Sequence, residues 1–276
     1  MARAPRREKH PVLIGTSGYS YPDWKGPFYP AGLSDREMLP FYARRFPAVE
    51  INYTYYRMPS ARTMAAIVAK APELSFAVKL TGSITHEGKF SPRDADQFRD
   101  GVAPMVEAGV LGCLLAQFPW SFKYSQAALD FIGELAERLA DLNLVAEFRE
   151  AGWAVGGVYE ALAALGLGFC NVDEPRLRGL MPPTDAVTSK IAYFRFHGRN
   201  AKNWWKHAEA AQRYNYLYSK QELEEWVPTI KKAAAKADKT YVFMNNHPLG
   251  QAVTNAQMLM EMLGIPFDGA GDAALF

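Results

Sequence analysis

Residues 144–149 read Leu144-Val145-Ala146-Glu147-Phe148-Arg149, a short run that starts apolar and takes on charge toward its end. Side chains alternate across a strand. Ala146 and Phe148 therefore share one face, and Val145, Glu147 and Arg149 share the other. Buried charges need partners, so this strand belongs to a sheet with an apolar face toward helices and a polar face toward an interior. Comparable runs occur at 12–17, 48–52, 75–81, 111–118, 168–173, 191–197 and 240–245. Helical patterns fill the intervals, several of them opening on a cap. Ser34 with Glu37, Ser91 with Asp94 and Ser219 with Glu222 have capping-box spacing, and Ser60 heads the helix containing Met64 and Ile67. Eight strands alternating with helices predict an α/β fold, a single TIM-like (β/α)8 barrel.

The 276 residues are 49% hydrophobic and 22% charged, which excludes disordered and collagen-like chains. A net charge of +2 argues against a protein that coats nucleic acid electrostatically. Cys113 and Cys170 lie in apolar runs, which argues against a disulfide framework or a cysteine zinc site. No stretch reaches the ~20 apolar residues of a membrane span. The start carries Arg3, Arg6, Arg7 and Lys9 with no apolar secretory core after it, so residues 1–10 are expected to form a disordered basic tail and the protein to be cytoplasmic. No linker or composition break divides 11–276, which are expected to form one barrel domain. A lid-like loop is expected at about 198–218.

The polar parity clusters toward strand C-terminal ends, where barrel chemistry normally sits. In 48–52 it contains Glu50 and Asn52; in 75–81, Lys79; in 111–118, Gln117. In 168–173 it is read as Phe169, Asn171 and Asp173, and in 191–197 as Tyr193, Arg195 and His197. The run at 240–245 ends in Asn245, followed by Asn246. One such residue is an accident of packing, but five strands with the same pattern predict a pocket.

At these residues the chain resembles the YecE-like proteins, the family labelled domain of unknown function 72. The similarity lies in Ile14-Gly15-Thr16-Ser17-Gly18-Tyr19-Ser20-Tyr21-Pro22-Asp23-Trp24 and Gly26-Pro27-Phe28-Tyr29-Pro30, in Val49-Glu50-Ile51-Asn52, and in Phe76-Ala77-Val78-Lys79 with Ile84-Thr85-His86. It continues through Gln117-Phe118-Pro119, Glu147-Phe148-Arg149 with Trp153, Arg195-Phe196-His197-Gly198-Arg199, Tyr218-Ser219 and Asn245-Asn246. The resemblance spans nearly the whole chain after the basic start. It implies a TIM-like barrel and no particular reaction. Tyr55-Tyr56 stands where the family usually has Phe-Tyr, and His247 where it often has an acidic residue.

The favoured reading is an enzyme for a small anionic or polar substrate, working by acid/base chemistry; whether it turns its ligand over stays open, with hydrolase or lyase as the class in view. Glu147 is the expected general acid or base, Glu50 the second carboxylate and His197 a hydrogen-bond donor or proton relay. Lys79, Arg149 and Arg195 are expected to hold the anion. Asn52, Gln117, Asn245 and Asn246 are expected to orient the substrate. His86, Asp173, Trp24, Trp204 and Tyr218 complete the substrate-binding set. For any single pair, such as Glu147 with Arg149, a buried ion pair is the plainer explanation.

Four other readings stand beside this one. A glycosidase built on the common strand-four and strand-seven carboxylates ranks low, because Gln117 and Arg195 occupy those ends; a Glu50–Glu147 pair is conceivable. A metal-dependent phosphodiester hydrolase would draw on Glu50, His86, Glu147, Asp173 and His197. It has weak support: there is no His-x-His, and three nearby cations repel a metal. No cofactor is expected. Nucleic acid is a less favoured partner, suggested by Trp204, Trp205, Lys206, Arg213 and the tyrosines of 198–218; these fit better as a lid over the mouth. A non-enzymatic ligand-binding protein would use the same pocket. No membrane contact is expected, and oligomeric state leaves no mark in the sequence.

Overall fold

Each apolar run pairs with its successor in the chain. In the computed structural model, which describes residues 11–267, β1 (Val12–Ser17), β2 (Ala48–Ile51), β3 (Ser75–Lys79), β4 (Leu111–Gln117), β5 (Leu144–Glu147), β6 (Gly168–Asp173), β7 (Ile191–Phe196) and β8 (Lys239–Met244) form a closed parallel barrel in chain order. β8 returns to pair with β1, so no sheet edge is left. The expected basic tail at 1–10, and 268–276 of the expected barrel domain, lie outside the described residues. The polar residues Asn52, Thr81, Arg149, His197 and Asn245 fall just past the regular strands, in the turns that start the crossovers.

The crossovers carry α1 (Asp35–Ala43), α2 (Ala61–Lys70), α3 (Gly82–Thr85), α4 (Pro92–Glu107), α5 (Gln126–Arg138), α6 (Gly156–Ala164), α7 (Lys220–Glu224) and α8 (Val227–Ala234), and α9 (Gln251–Met262) follows β8. Ser34 and Ser219 form full capping boxes, while Ser60, Ser91 and Ser125 accept a bond from the backbone N–H three residues on. No helix among the described residues is long and apolar enough to cross a membrane. Cys113 and Cys170 are buried free thiols, and burial pushes both thiols up, away from the reactive thiolate form.

Tyr193, Tyr241 and Phe243 fill the lower part of the barrel, with ring centroids 5.4–6.1 Å apart. They close the axis from below, so the polar residues above open only toward the strand C-terminal ends. Two glycines make room for tyrosine hydroxyls. The β3–β4 register shifts at Phe76/Ala77, and a Cβ on Gly112 there would lie 2.1 Å from Tyr241 Oη. A Cβ on Gly15 would lie 1.9 Å from the Ala48 carbonyl oxygen and 3.0 Å from Tyr42 Oη. Tyr42 reaches from α1 into the β1–β2 seam, where its hydroxyl accepts from Thr16 N (2.8 Å) and Thr16 Oγ1 (2.9 Å) and donates to Ala48 O (3.0 Å).

One crossover departs from the helical rule, and it corrects the reading of β6. No helix lies between β6 and β7; residues 174–190 run as an irregular strap containing Pro175, Gly179, Pro182 and Pro183. Beyond Phe169, which packs on Phe148 and Tyr159, the outer face of β6 meets this strap and is polar. Asn171 Oδ1 accepts from Thr184 Oγ1 (2.8 Å) and Ala186 N (2.9 Å), and Asn171 Nδ2 donates to Ala186 O (2.9 Å). Asn171 and Asp173 therefore face outward, and Cys170, Val172 and then Glu174 belong to the axis. The assumption that the polar parity faces the axis fails on this strand.

Changing Tyr42 to Phe leaves the buried Thr16 N–H and Ala48 carbonyl without their partner. The expected loss is about 1–3 kcal/mol of unfolding free energy, read from urea unfolding at unchanged m-value. A midpoint equal to that of the native chain would show that water or a shift of the seam replaces the hydroxyl.

Candidate functional site

The axis above the aromatic floor is a stack of ion pairs ordered by position along the strands. Tyr193 donates to Glu50 Oε2 (2.7 Å), and Glu50 Oε1 accepts from Arg195 Nη2 (2.7 Å). Arg195 Nη2 also reaches Ser17 Oγ (3.3 Å), and Nη1 donates to Glu147 Oε2 (2.5 Å). The other oxygen of Glu147 accepts from Arg149 Nε (2.5 Å), and Arg149 Nη1 donates to Glu174 Oε2 (2.8 Å). Glu174 Oε1 takes the Met181 N–H of the strap (3.0 Å). Glu50, Glu147 and Glu174 are wholly buried, and Arg195 nearly so. Such a lattice persists in low dielectric only because each carboxylate meets a guanidinium and further donors.

His197 is part of this lattice. Its Nε2 lies 3.1 Å from Glu147 Oε1, and its Nδ1 lies 2.9 Å from Asn245 Nδ2 and 3.4 Å from Arg149 Nη2. Donors facing Nδ1 and a carboxylate facing Nε2 specify the neutral imidazole with its proton on Nε2. Burial and the Arg149 charge lower its pKa well below the ordinary value, outweighing Glu147. For Glu147, burial alone would raise the pKa, but Arg195, Arg149 and His197 outweigh it and hold the carboxyl well below the usual range. Glu147 is thus a permanent anion enclosed by its partners. At Glu174 burial prevails over Arg149, with Glu147 adding to it, and the carboxyl is pushed up to about 7.

Lys79 stands apart. Its Nζ donates to Gln117 Oε1 (2.7 Å) and lies 4.6 Å from the centre of the Tyr55 ring; no carboxylate among the described residues pairs with it. Burial lowers its pKa, Arg195 and Arg149 lower it further, and Glu147 and Glu50 only partly compensate, leaving it at about 7. Gln117 is fixed in turn by its amide nitrogen: Nε2 donates to Phe118 O (2.7 Å). Asn52 follows Glu50 on the same parity of β2, next to β3, and its Oδ1 is buried without a partner.

Aromatic rings surround this open end. His86 packs edge-on against Tyr55 (4.9 Å), and burial with the Lys79 and Arg149 charges lowers its pKa to about 4. Trp204, in the 198–218 segment, places its ring 5.9 Å from the Arg149 guanidinium, and Tyr214 lies 6.1 Å from the His197 ring. Tyr21 stacks on His247 at 4.6 Å. A cavity of about 460 Å³ beside Tyr55 and His86 extends outward past Tyr56, Arg57 and Thr81.

The structure therefore gathers Glu50, Lys79, Gln117, Glu147, Arg149, Arg195, His197 and Asn245 at the axis, with Asn52, His86 and Trp204 at its open end. Four expected residues are elsewhere. Asp173, on the outer face of β6, accepts from Arg199 Nη2 (2.8 Å), Trp226 Nε1 (2.8 Å) and Tyr218 Oη (2.8 Å). Tyr218 is accordingly a buried anchor, its hydroxyl also accepting from Gly198 N (2.8 Å). Asn246 points outward, Nδ2 donating to Tyr216 O and Asn255 Oδ1 (both 2.8 Å). Trp24 is buried behind the rim, where its Nε1 donates to His247 O (2.8 Å) and its ring packs on Tyr21. These four brace the mouth from outside.

Glu174 escaped the sequence reading, although the spacing Cys170, Val172, Glu174 exposes it once the β6 parity is set. Tyr21, Tyr214 and His247 come from loops, where no periodicity points inward. The set considered for a metal (Glu50, His86, Glu147, Asp173 and His197) does not converge: Asp173 lies outside the barrel, and both carboxylates are taken by guanidinium groups. Among the described residues no group of three His, Cys, Asp or Glu side chains is placed to hold a metal ion.

A sequence model of the family described as "Protein of unknown function DUF72" matches residues 13–274. The chain is 28% identical over 275 residues to the UPF0759 protein YunF of Bacillus subtilis (strain 168), covering 94% of this chain and 96% of that protein. It is 40% identical to a DUF72 family protein from Thermotoga maritima MSB8, whose crystal structure superposes with a TM-score of 0.85 and covers 92% of this chain and 100% of the other. A DUF72 family protein from Enterococcus faecalis V583 has the same fold at 24% identity, with a TM-score of 0.82 over 93% of this chain and 97% of that one.

The Lys79 amine gives a pH signature. Unfolded, it keeps its proton to about pH 10.4; folded, it releases it near 7. Between those values the unfolded chain binds the extra proton, so stability rises with pH. Relative to a Lys79→Met variant, the native chain should gain up to ~1.4 kcal/mol per pH unit across this window, measured by urea unfolding at pH 7, 8 and 9. A difference that stays flat would mean that the folded amine keeps an ordinary proton affinity.

Proposed function

The chain belongs to the DUF72 family of proteins of unknown function, and on that footing we propose that it is an enzyme that binds a small anionic or polar substrate at the C-terminal mouth of its barrel. The observation that carries this reading is the Lys79 amine, which stands at the open end without a carboxylate, above a lattice whose own carboxylates are all engaged. Lys79 can offer its N–H donors to a ligand there, and the two N–H groups that Arg149 has left supply the positive charge for an anionic one.

The roles expected from sequence shift accordingly. Lys79, with its proton affinity near neutrality, is the group that exchanges protons. Glu147 and Glu50 pair with Arg149 and Arg195 and hold them in place, and His197 locks the orientation of Arg149 and Asn245. Arg149 uses three of its five N–H donors on Glu147, Glu174 and His197, which leaves two for an anionic group. The Asn52 carbonyl oxygen accepts a substrate hydroxyl or amide proton. Tyr55, Trp204 and Tyr214 provide the flat walls, and the 198–218 segment serves as the cover that excludes water.

The test is calorimetric titration of the whole chain with small phosphorylated and carboxylated metabolites. A ligand held by Lys79 should bind roughly 10–100-fold more weakly to a Lys79→Met variant, the loss of one charge-assisted hydrogen bond, and more weakly to Asn52→Ala. Lys232→Met, which changes an exposed lysine paired with Asp185, should bind like the native chain. Tight binding that ignores Lys79 and Asn52 would place the ligand elsewhere and overturn the reading.

A further inference from the structure

Several features invite a chemical role, and one is carried by independent observations of position, pairing and neighbours. An amine used only to attract an anion gains from a nearby carboxylate that keeps it charged. Lys79 has the opposite surroundings: a neutral amide oxygen (Gln117), a ring face (Tyr55), and the positive charges of Arg195 and Arg149. The charged and titratable groups that face it are Arg195, Arg149, Glu147, Glu50 and His86. The carboxylates are buried, and each is already matched to a guanidinium. His86 is neutral at ordinary pH, so it adds no charge. These surroundings favour the free-base amine, the form that attacks carbon. Arg149 meanwhile supplies the positive charge for an anionic substituent, so the amine need not.

We propose that Lys79 Nζ is a nucleophile that forms an imine with a small aldehyde or ketone carrying a carboxylate or phosphate. This rests on the reading of the mouth as an anion site and names its substrate class. The Nζ lone pair forms the C–N bond as the carbonyl π pair moves to oxygen. One N–H proton passes to that oxygen, giving a carbinolamine. The C–O bond then breaks; hydroxide leaves with the second N–H proton as water, and the nitrogen lone pair closes the C=N bond. Amine plus carbonyl gives imine plus water, with no oxidant or reductant. Gln117 Oε1, held 2.7 Å from Nζ, steers the attacking lone pair by accepting an N–H. The unpartnered Asn52 Oδ1 accepts a hydroxyl proton beside the reacting carbon.

The experiment traps the imine on the full chain with sodium cyanoborohydride at pH 7, using pyruvate as the anionic carbonyl and formaldehyde as an uncharged one, followed by peptide mapping. Reduced adduct should form at Lys79 roughly tenfold or more faster than at exposed lysines such as Lys202 and Lys206, because an ordinary lysine at pH 7 is less than about 0.1% free base. A Lys79→Arg variant should give no adduct at that position, while its exposed lysines react as they do in the native chain. If pyruvate binds through Lys79 but no adduct is trapped there, the imine inference falls and the anion-site reading survives. If formaldehyde modifies Lys79 preferentially while pyruvate neither binds nor reacts, the nucleophile is upheld without its anionic substrate, and both the substrate class and the anion-site reading fall. If neither carbonyl marks Lys79 above the exposed lysines, the inference is overturned.

Discussion

The Arg195 guanidinium, strung across the barrel axis between Glu50 and Glu147, is the interaction on which the upper half of this molecule depends. It joins β2, β5 and β7, strands far apart in sequence, and is fully desolvated. Removing one member of such a group strands a buried charge at a cost of about 3–5 kcal/mol. From Arg195 the order spreads: Glu147 fixes Arg149 and His197, and Arg149 fixes Glu174 and with it the strap. The Arg195 Nε remains buried without a partner. An interior built this way trades stability for a rigid polar floor, on which a single amine can be held in an electrostatic state it would not have in water.

Much of this was legible in the chain. The closed barrel follows from eight apolar runs, and the order Glu50, Lys79, Gln117, Glu147, Arg149, Arg195, His197 along the axis follows from strand parity. What parity cannot show is who pairs with whom. Glu147 looked like the reactive carboxylate because it sits at a strand end; its enclosure between two guanidiniums comes from β7 and from the turn after β5, a tertiary fact. Lys79 looked like one anion-holding cation among three, and it differs from Arg149 and Arg195 only in lacking a carboxylate. Asp173 was misplaced because the parity rule assumes an apolar outer layer, and β6 has a polar strap instead. Tyr21, Tyr214 and His247 sit in loops, whose direction no local pattern encodes.

The mouth is braced from outside as carefully as it is filled from within. Asp173 ties Arg199, Tyr218 and Trp226 together, so both ends of the 198–218 segment are anchored at one carboxylate. Asn246 and Asn255 fasten the exit of the same segment to α9. Trp24 supports Tyr21 and His247 from behind. Residues that sequence alone would assign to ligand contact thus set the positions of the side chains that line the mouth.

The helix-free strap between β6 and β7 bears on how the barrel assembles. A helical crossover gains hydrogen bonds within itself and can form early. The strap has little of this: besides the short turns from Leu177 N–H to Pro175 O and Leu180 N–H to Leu177 O, its backbone is held by Asn171 at Ala186 and by Glu174 at Met181, and its Thr188 hydroxyl ties it to Leu167 O at 2.6 Å. Asn171 and Leu167 come within reach only once β6 is in place, and Glu174 meets Arg149 only once the β5 turn has arrived. The segment therefore acquires its order together with the charged floor, in one cooperative step. Its order is thus coupled to the charged floor of the barrel more than to the helices that flank it in sequence.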